Sequence, residues 1–455
     1  MTATFVPLEV LRLSGLRAQT SAAEPRAPWF HLVPGAKPLV FVVEGSRLYE
    51  VSPDLFAGLA AGKETCLREF HEAVHGFGPN ADASFEALDE PVSLSLNVAQ
   101  VCNLSCSYCY ADEGRFGGPA RRMEPEVALL AIDRLLAGAA GRRITVGFIG
   151  GEPFLNRPLI YECVAYARRR GLELKTQVGF SITTNATLLT PADLDLLRRH
   201  GFSVSVSLDG VGGWNDRHRR DRHGSSSARV IEAIRPLLHS PASAKVAARV
   251  TVPRDDLRVL ERVEALAEIG FREVGVSPLR ASAEPELRLQ CEDWPTFLKE
   301  MVRAADAEWD RVRHGGAWRF SNLAIALKEL HWGSCRPLPC GAANGYVSLS
   351  ADGGYFTCHR TIDDPRSQLG SLADGLDREA RGRFLRDRHV DKQEPCRSCW
   401  ARYLCGGGCH VEVLAEGRTG CDYIRGWLDY CLGLYDKVLT ERPDLLPSNR
   451  VEARQ

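Results

Sequence analysis

Between Val92 and Ser277 the sequence repeats one pattern: a short β-rich apolar run, a helical stretch, then another run. The runs are Val92–Asn97, Ile144–Ile149, Gly179–Thr183, Phe202–Leu208, Lys245–Val252 and Glu273–Ser277. Helical stretches fall at Pro125–Leu136, Pro158–Arg170, Pro191–Arg199, Ala228–Leu238 and Leu257–Ile269. Several open on a proline, whose fixed φ suits the first helical position. Such repetition predicts a parallel sheet with helical crossovers. Six units are fewer than the eight of a closed barrel, so the expected fold is α/β, an open partial (β/α)6 TIM-like barrel. Ligand-binding loops of such sheets gather at the carboxyl ends of the strands.

The loop after the first run carries Cys102, Cys106 and Cys109, spaced Cys-x3-Cys-x2-Cys. Three thiolates in one loop can hold three corners of a four-iron four-sulfur cluster, and the missing fourth protein ligand leaves one iron open to bind a small molecule. The alternative is a tetrahedral zinc site, which wants a fourth Cys or His nearby.

Bulk properties narrow the function classes. With 57 basic against 58 acidic residues, the chain lacks the basic footprint of nucleic-acid binders. No apolar run approaches the roughly 18 residues of a membrane span. The start, Met1 to Arg12, shows no basic region followed by a long apolar stretch, so a cytoplasmic location is expected. Fifteen cysteines in a long chain of this kind read as metal ligands rather than a disulfide framework. Cys66, Cys163 and Cys291 stand alone and are expected to be buried apolar fillers.

The cysteine loop, with Tyr108 just before its third Cys, resembles the signature of the radical S-adenosylmethionine enzymes. The resemblance implies that the open iron chelates the methionine end of S-adenosylmethionine, and that the reduced cluster cleaves it to a 5′-deoxyadenosyl radical that abstracts hydrogen from a substrate. It assigns Gly150, Gly151 and Glu152, in Gly150-Gly-Glu-Pro153, to the methionine amino group. Thr183, Thr184 and Asn185 at one strand end, and Ser207 and Asp209 at the next, match positions serving the ribose or the carboxylate. Arg219 aligns with an arginine able to hold a carboxylate bidentately, while Arg217, Arg220 and Arg222 read as surface charges. Arg249 and the Ser277-Pro-Leu279 strand end are further candidate contacts.

The last third, expected as a domain over 321–455, carries Cys335, Cys340, Cys358, Cys396, Cys399, Cys405, Cys409, Cys421 and Cys431. Eight thiolates suffice for two fully ligated four-iron clusters, which suit electron relay. A zinc ribbon needs two Cys-x2-Cys pairs, and only Cys396/Cys399 has that spacing. The array resembles the SPASM domain. By that resemblance Cys335, Cys340, Cys358 and Cys409 hold one auxiliary cluster, and Cys396, Cys399 and Cys405 hold a second with Cys421 or Cys431, Cys421 being nearer the family pattern. The implied cofactors are three 4Fe-4S clusters and S-adenosylmethionine.

Residues 1–90, ahead of a barrel domain over 91–320, show short strands followed by helices. This α+β module resembles the winged-helix-like peptide-recognition element of peptide-modifying radical enzymes, where an edge strand takes up a leader peptide; a plain cap over the barrel is the alternative. Over most of the chain the resemblance is to peptide thioether maturases, the SCIFF and quinohemoprotein amine dehydrogenase maturation enzymes. It implies a ribosomally made substrate peptide with a leader, a Cys thioether cross-link as product, and a flavodoxin or ferredoxin as electron donor. Two departures matter: Val276-Ser-Pro278 lacks the Glu usual before Pro, and His359 follows Cys358 where sulfatase maturases place Asp. Carbon–carbon or carbon–oxygen cross-linking and formylglycine formation are the alternative reactions; an iron–sulfur electron carrier is the non-enzyme alternative. No general base is named by the sequence.

Overall fold

A computed structural model describes residues 29–75, 87–139, 141–240 and 244–447; Met1 to Arg12 lie outside them. Three antiparallel strands, β1 (Phe30–Val33), β2 (Leu39–Val42) and β3 (Arg47–Glu50), are followed by helices α1 (Pro53–Ala60) and α2 (Glu64–His75). Ser52 caps α1 by accepting the Leu55 N–H at 3.2 Å, ahead of Pro53 at the first helical position. This small unit has its own core around Val40, Tyr49, Leu59 and Phe70.

The main sheet contains six parallel strands: β4 (Ser93–Gln100), β5 (Ile144–Gly150), β6 (Val178–Thr184), β7 (Ser203–Ser207), β8 (Lys245–Val252) and β9 (Val274–Pro278), side by side in that order. Helices α3 (Pro125–Gly138), α4 (Arg157–Glu173), α5 (Pro191–Arg199), α6 (Ser226–Leu238) and α7 (Leu260–Ile269) alternate with them. The mixed α/β architecture with a central parallel sheet is that of a partial barrel. Alternation along the strands explains its two faces. Leu94, Val146, Phe180, Val204 and Val250 are buried in the core. Ser95, Gly147 and Ser181 share the opposite face: a Cβ on Gly147 would stand 3.0 Å from Ser181 Oγ and 3.5 Å from Ser95 Oγ.

Local chemistry fixes the helix starts. At α5, Thr190 and Asp193 form a reciprocal capping box, with Pro191 between them. The buried Asp193 carboxylate also takes Arg157 Nε at 2.8 and 3.0 Å, tying α4 to α5.

The open side of β9 is covered by α9 (Ser321–His331), which follows α8 (Trp294–Arg313): Asn322 accepts the Val276 N–H at 2.8 Å and donates to its carbonyl at 2.9 Å. Helix α9 thus packs on the last barrel strand. At the other edge, strand β10 (Tyr346–Leu349) pairs parallel with β4 and carries the sheet into the antiparallel strands Gly354–Phe356, Gln368–Ser371 and Gly375–Leu376. No helix among the described residues is long and apolar enough to cross a membrane. Of the isolated cysteines, Cys163 is buried and Cys66 half-buried, but Cys291 is exposed, a correction to the expected filler role: it lies in the turn ahead of α8 rather than on a packed face.

Candidate functional site

At the carboxyl ends of β4 to β7 the cysteine loop, the Gly150-Gly-Glu-Pro153 turn and two strand ends form one unit. Backbone meets backbone here: a Cβ on Gly151 would stand 2.4 Å from Val101 O, and one on Gly114, whose φ is +87°, would stand 2.5 Å from Gly151 Cα. Only glycine permits such contact. Cys102 lies near enough to feel the charges of Cys106 and Cys109, and Cys106 that of Cys109. Burial pushes the Cys102 thiol up to about 12 and Cys106 to about 11; a positive metal centre would reverse that preference, because a coordinated thiol is deprotonated.

Glu152 is fully buried beneath this loop. Its Oε1 accepts Thr184 Oγ1 at 2.8 Å and the Phe154 N–H at 3.1 Å, and its Oε2 accepts the Asn185 N–H at 2.8 Å. The carboxylate therefore fixes the strand end Thr183-Thr-Asn185 to the turn. Burial outweighs these donors and raises Glu152 to about 7. Asn185 donates to Asn103 Oδ1 at 2.9 Å and approaches Cys102 Sγ at 3.8 Å. Thr183 and Ser207 are half-buried on the open face of the sheet.

Asp209, 1% exposed, is the hub of the far side. It accepts Tyr108 OH, Arg219 Nε at 3.0 Å and Nη2 at 3.2 Å, and the Thr251 N–H at 2.8 Å. The Arg219 guanidinium lies 5.4 Å over the Tyr108 ring. Arg219 and Arg220 pair as a short strand with Cys106 and Ser105. Asp209, Arg219 and Tyr108 are thus spent on one another and on the cysteine loop. Arg217 is exposed and pairs with Asp255, and Arg249 pairs on the surface with Glu273. Ser277 is exposed, while Leu279 is buried and donates its N–H to Val252 O.

Two residues that sequence reasoning missed complete the frame. His218 has Nδ1 2.9 Å from Ser107 Oγ and Nε2 3.1 Å from Asp255 Oδ2, and its carbonyl accepts the Ser107 N–H at 2.9 Å. Buried Arg262 donates to Asp209 O at 2.7 Å from behind. His218 lay within a charged run, and Arg262 on a helix face otherwise apolar; neither had a readable pattern.

In the last third, Cys340, Cys358 and Cys409 influence one another's charge, and Cys358 accepts Tyr346 OH at 3.2 Å. Cys396, Cys399, Cys405 and Cys421, together with Cys409, line one pocket that Arg280, Arg418 and Arg425 also line. The turn between Cys405 and Cys409 runs through Gly406, Gly407 and Gly408, with φ of 71°, 86° and 80°. Cys335 stands apart, receiving the Gly45 N–H beside Arg402 and Asp391. Cys431 is fully buried within helix α12 (Cys421–Glu441), which follows α10 (Arg378–Arg388) and α11 (His410–Glu416) among the longer helices. Among the described residues no three His, Cys, Asp or Glu side chains converge on a single-ion site; the thiols gather in looser groups.

Residues 96–240 match the profile of the Radical SAM superfamily. The region from the first barrel strand to the sixth helix of the chain is therefore a radical SAM domain. Beyond it, the chain is 24% identical over 368 residues to the serine-type anaerobic sulfatase-maturating enzyme of Klebsiella aerogenes, spanning 75% of this chain and 83% of that one. It is 24% identical over 359 residues to the mycofactocin maturase MftC of Mycolicibacterium smegmatis, 74% and 83% of the two chains. Among solved structures, anSMEcpe with bound AdoMet superposes with a TM-score of 0.65 at 20% identity, covering 77% of this chain and 100% of that one. Streptococcus suis SuiB with bound S-adenosylmethionine gives 0.51 at 14% identity, over 84% and 95%. These likenesses show a shared fold. Both of these curated relatives are named as maturation enzymes.

Proposed function

We propose that the chain is a radical S-adenosylmethionine enzyme that modifies a ribosomally made peptide or protein. The reading is carried by the joining of the three-cysteine loop, the Gly150-Gly-Glu-Pro153 turn and the Thr183-Thr-Asn185 strand end into one hydrogen-bonded unit. Cys102, Cys106 and Cys109 would hold a 4Fe-4S cluster whose open iron takes S-adenosylmethionine, supplying hydrogen-atom abstraction. The chain's own groups position that chemistry. Gly150 and Gly151 offer backbone to the methionine end, and the hydroxyls of Thr183 and Ser207 face the open side of the sheet. Glu152, Thr184 and Asn185 hold the turn against the loop, and Asp209, Tyr108 and Arg219 brace the loop from the other side.

In the last third, Cys340, Cys358 and Cys409 form the inner auxiliary group, which Cys335 would join, and Cys396, Cys399, Cys405 and Cys421 form the outer one. Three clusters in all are the reading these thiols support. Electrons would come from a flavodoxin or ferredoxin, and the module holding β1 to β3 would receive a leader at a free sheet edge. The product we favour is a thioether between a Cys sulfur and an unactivated carbon. Formylglycine formation is the second reading, favoured by the sulfatase-maturating relatives.

Mass spectrometry of a Cys-containing peptide encoded beside this gene, after co-expression, separates them. Loss of two hydrogens together with a free thiol supports the thioether; loss with every thiol still alkylatable indicates a carbon–carbon or carbon–oxygen link; conversion of a Cys or Ser to an aldehyde establishes the second reading. Replacement of Cys102, Cys106 and Cys109 by Ala should abolish 5′-deoxyadenosine formation while leaving iron in the last third. Retained cleavage would refute the site.

A further inference from the structure

Arg388, the last residue of α10, is 9% exposed, yet no carboxylate among the described residues pairs with it. Its Nε donates to His410 Nδ1 at 3.1 Å, and its Nη2 is buried with no hydrogen-bond partner. Burial and the neighbouring Arg418 both disfavour its charge; the groups that favour it are Cys396, Cys409 and the adjacent Asp387. Cys396 belongs to the outer thiol group and Cys409 to the inner one. A buried guanidinium without an anion costs several kcal/mol, and folds retain one where an anion is supplied. Four thiolates around an iron–sulfur cluster supply negative charge, and net charge nearby sets such a cluster's potential.

We propose that Arg388 is a positioning residue that neutralises charge between the two auxiliary clusters and holds both at a more positive potential. The inference rests on the reading of these thiols as cluster ligands. The fit is local: the buried Nη2 lacks a partner, and both neighbouring thiols belong to assigned ligand sets.

The experiment uses the full-length, iron-loaded protein and its Arg388→Met and Arg388→Lys variants, with iron and sulfide counted and midpoint potentials followed by electron paramagnetic resonance. In Arg388→Met the auxiliary potentials should fall, because loss of a cation disfavours the more negative reduced cluster, while the signal from the Cys102 loop stays in place. Arg388→Lys should stay near the parent. Failure of Arg388→Met to load auxiliary iron while Arg388→Lys loads normally also supports the proposal. Unchanged auxiliary potentials in Arg388→Met, or an equal fall or equal iron loss in both variants, would overturn it. Iron for only one cluster in the parent protein would instead overturn the underlying assignment of the auxiliary sites.

Discussion

Asp209 and Arg219 meet through two parallel hydrogen bonds, Nε to Oδ2 at 3.0 Å and Nη2 to Oδ1 at 3.2 Å. The pair connects the end of β7 to the backbone ladder that carries Cys106. It is a buried ion pair with a second donor, Tyr108, on the same carboxylate.

Breaking such a pair leaves the partner's charge buried, at a cost of about 3 kcal/mol. Asp209→Asn should therefore lower unfolding free energy by that order in chemical denaturation. It should also reduce iron retained by the Cys102 loop, because Arg219 loses the anchor that holds it beside Cys106. An unaltered denaturation midpoint would show that the pair contributes nothing net.

Glu152 gives the fold a pH dependence of known sign. Its folded value of about 7 lies above the ordinary 4.5, so the folded chain binds more protons than the unfolded chain between those values. Stability is then greatest below pH 4.5 as far as this group is concerned, and falls as pH rises toward 7, by about 3 kcal/mol in total. Comparing the iron-free chain with Glu152→Gln across that window should show the parent losing stability that the variant keeps. Parallel pH curves would sink the assignment.

The two last cysteines should separate cleanly. Cys421→Ala should lower the iron content of the last third, since Cys421 lines the pocket with Cys396, Cys399 and Cys405. Cys431→Ala should leave iron unchanged and cost about 1–2 kcal/mol through the small cavity it opens in the core around α12. Iron analysis and thermal unfolding on both variants decide the matter.

The N-terminal sheet docks through His31, which stacks on Trp400 at 3.8 Å between ring centres and reaches Asp429 Oδ1 at 2.5 Å. His31→Ala should release the module, costing about 1–2 kcal/mol, since a stacked aromatic contact contributes about 1 kcal/mol beyond its area. Limited proteolysis should then cut more readily within the module that holds β1 to β3. An unchanged cleavage pattern would mean that the other contacts, Lys37 with Asp436 at 2.8 Å and the packing of Leu39, Phe41 and Leu48 into the main core, hold the module without it.

Much of this was legible because local rules and global fold agree. Lys245–Val252 reads as a strand and is one, since β-branched and small residues fit a pleated surface packed on one side. The start of Pro191–Arg199 was legible because Pro191 marks a first helical position. The three cysteines stood out by their spacing, read together with the strand before them and the motifs after them. The side-chain work of Glu152 was not: a Gly-Gly-Glu-Pro turn suggests backbone chemistry, whereas the carboxylate braces Thr184 and Asn185, residues 32 and 33 positions later. Nor was Asn322 visible as the cover of an open strand, because an Asn at a helix start carries no mark of what it will bond. Cys335 was grouped with Cys340, Cys358 and Cys409 by resemblance alone, and its contact with the Gly45 N–H had no mark in the sequence. Pairings that span hundreds of residues leave no local signal.

The parallel pairing of Tyr346–Leu349 with Ser93–Gln100 bears on how the chain is made. During synthesis the strand leading into the cysteine loop emerges about 250 residues before its outer neighbour. Until that neighbour leaves the ribosome, the strand that leads into the cysteine loop keeps an open sheet edge, the condition that invites wrong partners.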